Sequence, residues 1–166
     1  MAHSFYAYEL VFMPHGENLI LVLRDAVPIR VIMKDIAEEI AVLNPATPVP
    51  PAAERVRAEV PDDGKLLSIF TDVFDCIVRF LSPLLDREGL LTPAEFWSVV
   101  ADAVRDYQAA TPELADAFAK YDIFAPAFAL SCLNRLQLRN NQQMVDLTDV
   151  AVFLQFVGTL DNSLCG

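Results

Sequence analysis

Leu19-Ile20-Leu21-Val22-Leu23-Arg24-Asp25-Ala26-Val27-Pro28-Ile29-Arg30-Val31-Ile32-Met33 is the stretch on which the fold turns. Branched aliphatic residues fill both sides of Arg24-Asp25-Ala26, the pattern of two strands joined by a tight turn, and it is read as a β-hairpin. Upstream, Phe5-Tyr6-Ala7-Tyr8-Glu9-Leu10-Val11-Phe12-Met13 suits a third strand or the stub of a helix, because aromatic β-formers do not separate the two. Downstream, Ile36, Ile40 and Leu43 with acids on the other side predict a helix over residues 34–43, ended by Asn44-Pro45. Residues 45–51 form a proline-rich connector.

Beyond the connector the pattern turns helical. Phe70, Val73, Phe74, Ile77 and Leu81 recur at three- and four-residue steps, and Pro83 marks the expected end. Thr92-Pro93-Ala94-Glu95 combines an N-cap Thr, a Pro at the first helical position and a Glu three residues after the cap, so a helix starts there with Phe96, Val100, Ala103, Val104 and Tyr107 as its buried stripe. Thr111-Pro112-Glu113 repeats the start for a shorter helix carrying Leu114, Ala115, Phe118 and Ala119. A further start follows Ala125-Pro126, where Phe128, Leu130, Cys132, Leu133 and Leu136 predict a centrally packed helix. The apolar tail, residues 150–157, fits helix or strand; if uncovered it is an association surface, so a homo-oligomer is possible. The fold class is therefore α+β, an N-terminal antiparallel hairpin or small sheet packed against a mostly helical C-terminal layer of four or five helices. Residues 1–43 hold the hairpin and first helix, 44–65 the connector and 66–166 the helical part, within a single region.

A chain of 166 residues with 54% hydrophobic and 21% charged residues folds around a core rather than remaining disordered. Twelve Lys and Arg against 23 Asp and Glu leave a net charge of -11, which repels phosphate backbones and anionic lipid, so nucleic acid and membrane are not expected partners. No apolar run approaches the roughly 20 residues that span a bilayer, and Met1-Ala2-His3-Ser4 lacks a basic leader, so a cytoplasmic location is expected. Cys76, Cys132 and Cys165 are odd in number and widely spaced, which indicates reduced thiols rather than a disulfide framework or zinc site.

The five glycines cannot assemble a dinucleotide fingerprint or a P-loop, no G-x-S-x-G elbow occurs, and His3 and His15 do not form H-E-x-x-H. Asp86 to Glu95 imitates the second half of a calcium loop, but its first ligand position falls on Leu84, and helix capping accounts for the same residues. The informative segment is Pro14-His15-Gly16-Glu17-Asn18, because a hairpin brings Lys34-Asp35 back to the end of the sheet where it lies. His15, Glu17, Asn18, Lys34 and Asp35 would then converge, a set suited to a carboxylate or phosphate ligand and a divalent ion. The competing reading is a plain turn at His15-Gly16, with Asn18 capping it and Asp35 capping the next helix.

The run Phe12-Met13-Pro14-His15-Gly16-Glu17-Asn18-Leu19-Ile20-Leu21-Val22-Leu23, with Lys34-Asp35-Ile36 after the hairpin, resembles the C-terminal region of the IucA/IucC-like siderophore synthetases, NRPS-independent enzymes of the aerobactin and achromobactin type. Asn134-Arg135-Leu136-Gln137-Leu138-Arg139-Asn140-Asn141-Gln142-Gln143-Met144-Val145-Asp146-Leu147 and then Leu154 through Asn162 resemble that family's closing segment, although Ser163 stands where the family commonly has Pro. The resemblance implies an enzyme that uses ATP and Mg²⁺ to adenylate a carboxylate, usually citrate or a related acid, and passes the acyl group to an amine or hydroxylamine. It implies that His15 contacts the carboxylate and acts with Asp35 in catalysis, that Asp35 holds the metal and nucleotide, that Asn18 and Lys34 bind substrate, and that Glu17 is a further cofactor contact. Arg139 and Asn140 line the same pocket or a helix surface. Family enzymes are several times longer, so the chain looks like a C-terminal fragment that needs an upstream portion and is inactive alone. The alternatives are a non-catalytic interaction module and a kinase-like phosphotransferase, whose base and Asn stand further apart than Glu17 and Asn18.

Overall fold

A computed structural model describes residues 1–36, 39–131 and 156–165. The ambiguous N-terminal segment is both of its alternatives: helix α1 (Ala2–Tyr8) buries Phe5 and Tyr6, and strand β1 (Leu10–Phe12) follows after Glu9 turns the chain at φ 48°. The hairpin forms as expected, with β2 (Leu19–Arg24) antiparallel to β3 (Val27–Met33), paired from Leu19 opposite Met33 to Arg24 opposite Val27 with one irregularity at Val22 and Leu23. Its turn places Asp25 and Ala26 at φ 51° and 64°, the left-handed pair that a two-residue hairpin loop requires.

The helix expected over residues 34–43 is not there. Asp35 takes φ 58°, which breaks a right-handed helix, and Ile40–Val42 form strand β4, antiparallel to β1 with Leu10 opposite Val42 and Phe12 opposite Ile40. Three apolar residues at positions 36, 40 and 43 satisfy a helical period, but the backbone bonds that a remote strand offers decide the outcome. The connector continues into a 3₁₀ turn at Pro51–Val56, then short helices α2 (Asp62–Lys65) and α3 (Leu67–Ile69).

From α3 the chain winds through a π-helical segment, Phe70–Val78, into α4 (Arg79–Arg87). The helix thus runs through Pro83 rather than ending at it; the proline forfeits one backbone bond, and the wide turns immediately upstream are a usual companion of such a disturbed ladder. Helix α5 (Pro93–Ala110) starts with the expected capping box, the Thr92 hydroxyl accepting from the Glu95 N–H while the Glu95 carboxylate accepts from the Thr92 N–H at 2.8 Å. Ala101, not Ala103, is its buried small residue, beside Phe96. A 3₁₀ turn at Pro112–Leu114 leads into α6 (Ala115–Lys120), the predicted short helix.

After Pro126 the expected helix is instead strand β5 (Ala127–Ser131), paired with β6 (Phe156–Asp161) through Phe128 opposite Leu160. Phe128 and Leu130 also sit two apart, so the same residues satisfy a strand period, and the tail supplies the partner. The start of that tail, residues 150–155, with Arg139, Asn140 and Cys132, lies outside the described residues. A final 3₁₀ turn, Ser163–Cys165, forms despite the serine at 163. The architecture is α+β, as expected, with three two-stranded antiparallel sheets and several helices among the described residues. One core joins α1, α3, the π segment and α5, built on Phe5, Leu43, Phe70, Phe74, Ala101, Tyr121, Ile123 and Leu164. Phe70 stacks on Phe128 at 4.2 Å between ring centroids, which seats the third sheet against this core.

Candidate functional site

The base of the hairpin gathers the five residues singled out by sequence. Asn18 is fully buried, and its side chain is already occupied: Oδ1 accepts the His15 backbone N–H at 2.7 Å and Nδ2 donates to the Met13 carbonyl at 3.0 Å. The His15 carbonyl accepts the Asn18 and Leu19 N–H groups, and the Asn18 carbonyl accepts the Lys34 N–H at 2.9 Å. Asn18 is thus the clamp that shapes the 13–18 loop and ties it to the end of β3, a positioning role in which its amide has no free end to offer a ligand.

His15 projects its ring outward. Nδ1 accepts the Glu17 N–H at 3.3 Å, which assigns the neutral-ring proton to Nε2, and Nε2 faces Oε1 of Glu39 at 3.3 Å. Lys34 and Asp35 are exposed and paired with each other at 2.7 Å. The hydrogen bond and charge of Asp35, with a further contribution from Glu17, hold the Lys34 amine above the usual lysine range. Asp35 caps no helix among the described residues, the next element being β4. The hairpin therefore brings all five residues to one end, as the pairing argument required, with His15, Glu17, Lys34 and Asp35 exposed and Asn18 buried.

Two neighbours escaped the sequence reading. Glu39 was counted among the solvent-side acids of a helix; as the residue before β4 it instead accepts the Met13 N–H on its carbonyl and meets His15 with its carboxylate. Asp72, in the π segment, is largely buried, and burial followed by the charge of Glu39 pushes its carboxyl up to about 7. A π turn next to a polar cluster is a frequent attribute of functional sites. Only the period-3.6 stripe was visible in the sequence, and nothing in it marked the π turn.

A second polar cluster was also missed. Glu9 accepts from Lys65 Nζ at 2.7 Å and from the Tyr121 hydroxyl at 2.6 Å, with Lys120 Nζ at 3.6 Å, and Asp62 pairs with both lysines. Burial alone pushes the Glu9 carboxyl up, but the Lys65 and Tyr121 hydrogen bonds and the two lysine charges outweigh it and leave it below the ordinary range. These bonds tie α1 to α2 and to the end of α6, so the cluster is read as structural. A cleft of about 170 Å³ lined by Phe74, Asp75, Arg79, Trp97 and Phe128 contains none of the five predicted residues.

Among the described residues no group of three His, Cys, Asp or Glu side chains could hold a metal by itself. The exposed carboxylate of Asp35 fits Mg²⁺ in the other mode, in which one or two protein carboxylates bind an ion that arrives with substrate phosphates.

The sequence profile of the family described as "ferric iron reductase FhuF-like transporter" matches residues 1–146. The putrebactin synthase of Shewanella sp. (strain MR-4) is 54% identical over 164 residues, 99% of this chain and 26% of that protein. The rhizobactin siderophore biosynthesis protein RhbF of Rhizobium meliloti (strain 1021) is 31% identical over 166 residues, 98% of this chain and 27% of its own length. Among solved structures, aerobactin synthetase IucC from a hypervirulent pathotype of Klebsiella pneumoniae superposes with a TM-score of 0.77 at 26% identity, over 99% of this chain and 28% of that one. The chain spans about a quarter of the length of the curated relatives it matches and corresponds to their C-terminal part.

Proposed function

Because the chain belongs to the FhuF-like family and its relatives are siderophore synthetases, we propose that it forms one wall of a site where a carboxylate is activated with ATP and Mg²⁺ and condensed with an amine or hydroxylamine. The observation that carries this reading is the 54% identity to a putrebactin synthase across 99% of the chain. The convergence of His15, Lys34 and Asp35 at the hairpin base supports it, since these are the residue types the chemistry needs.

His15, whose Nε2–H faces Glu39 in the free chain, would turn that donor from Glu39 to the bound carboxylate substrate. Lys34 neutralises charge that develops at the phosphate end of the reaction. Asp35 would hold Mg²⁺, giving up its lysine contact to do so, and the ion when bound supplies charge neutralisation on the phosphates. Asn18 keeps these groups in place without touching substrate. Nucleotide contacts would come from the upstream polypeptide, so the chain alone is expected to be inactive, and the synthesis is expected in the cytoplasm, where ATP is at hand.

The test is ATP-dependent pyrophosphate release with citrate and a panel of other carboxylic acids, hydroxylamine trapping the acyl group, on the chain mixed with the upstream part of the putrebactin synthase relative. Release in the mixture, reduced at least a hundredfold by His15→Ala and by Asp35→Asn, is the expected result. Silence with every acid in an associated mixture would favour a non-catalytic interaction module.

A further inference from the structure

Both faces of the hairpin are aliphatic. Leu19, Leu21, Leu23, Ile29, Val31 and Met33 alternate onto one face, and Ile20, Val22 and Ile32 onto the other, interrupted by Arg30. Leu21, Leu23, Ile29 and Val31 are each 50% exposed or more. The first face opens with Phe12 and Met1 into a groove of about 490 Å³. Among the described residues the two strands form a sheet of their own, pair with no other strand and contact little beyond each other.

Such a composition belongs to strands covered on both faces. Edges of such a sheet are blunted by Pro, bulges or charge; here Pro28, the irregularity at Val22 and Leu23, and Arg24 and Arg30 serve the edges, while the aliphatic faces carry no acid. Beyond the chain itself the occupants are a second copy or the polypeptide that precedes this region in relatives of which it is 26%. A second copy would bring together two chains of net charge -11, which repel.

We propose that the β2–β3 hairpin is the docking element for the upstream polypeptide, which covers its aliphatic faces and makes it part of a larger sheet. Its base carries Asn18, Lys34 and Asp35, so docking there also brings the upstream chain to the site; that last clause rests on the proposed function.

The test uses the full 166-residue chain and the upstream part of the putrebactin synthase relative, with binding followed by sedimentation velocity and amide exchange followed across the hairpin. Wild type and Val99→Lys, a control at an exposed valine on α5, should bind alike, and exchange in β2 and β3 should slow at least tenfold in the complex. The double variant Leu21→Lys/Ile29→Lys should keep the circular dichroism of the wild type, since both side chains face solvent, and lose at least tenfold in affinity. Undiminished binding by the double variant, unchanged exchange in the hairpin, no complex with the wild type, or a hairpin-dependent homodimer that the upstream part fails to displace would each overturn the proposal. A hairpin-dependent complex that releases no pyrophosphate would leave the docking in place and defeat the synthetase reading alone.

Discussion

The backbone N–H of His15 donates to Oδ1 of Asn18 at 2.7 Å, so a residue with an exposed ring is held by one that is fully buried. Under the proposed function, residues three apart in the chain divide into a chemical role and a positional one.

That separation is measurable. Asn18→Ala leaves the Met13 carbonyl and the His15 N–H without their side-chain partner, and the expected cost is about 2 kcal/mol. His15→Ala, at an exposed ring, should change stability by less than about 0.5 kcal/mol while removing activity in the mixture. Urea denaturation of both variants checks this, and equal losses of stability would refute the division.

Asp72 makes stability fall as pH rises. Its carboxyl is pushed up to about 7 by burial and by Glu39, so its contribution is fully present below the ordinary carboxylate range and is lost as pH rises through about 7. Asp72→Asn keeps the group neutral at every pH and should be the more stable form at pH 8, by on the order of 3 kcal/mol. Melting curves of the two proteins from pH 5 to 8 should diverge steadily, and parallel curves would contradict the buried acid.

Glu9 has the opposite sign. Its carboxyl is held below the ordinary range, so its contribution is present above that range and is lost as pH falls through its lowered value. Lys65, whose side chain is 7% exposed, is left with the exposed Asp62 as its remaining carboxylate partner if Glu9 is removed. Glu9→Ala should therefore cost about 3 kcal/mol, and Glu9→Ala/Lys65→Met should recover part of it in a chemical-denaturation cycle.

Ala26 occupies a left-handed position at φ 64° in the hairpin turn. A side chain there costs about 1 kcal/mol that glycine avoids. Ala26→Gly should raise protection of the β2 and β3 amides in hydrogen exchange without affecting binding of the upstream polypeptide through the strand faces.

The sequence by itself determined the features that local chemistry specifies. The β2–β3 hairpin follows from aliphatic runs on either side of a short polar turn, and α5 from a Thr-Pro-x-Glu start that satisfies its own first N–H groups. The convergence of His15, Asn18, Lys34 and Asp35 follows from the hairpin, since antiparallel pairing returns the chain to its starting end. Tertiary structure alone decided β4 and β5, whose few apolar residues fit two periods and whose partners, Leu10 for Val42 and Leu160 for Phe128, lie far along the chain. It also decided which candidate site residues are exposed, and it assembled Glu9, Lys65 and Tyr121 from three separate segments. Burial, and the hydrogen bonds that must accompany it, depend on what the rest of the chain places nearby, and neither spacing nor composition records that.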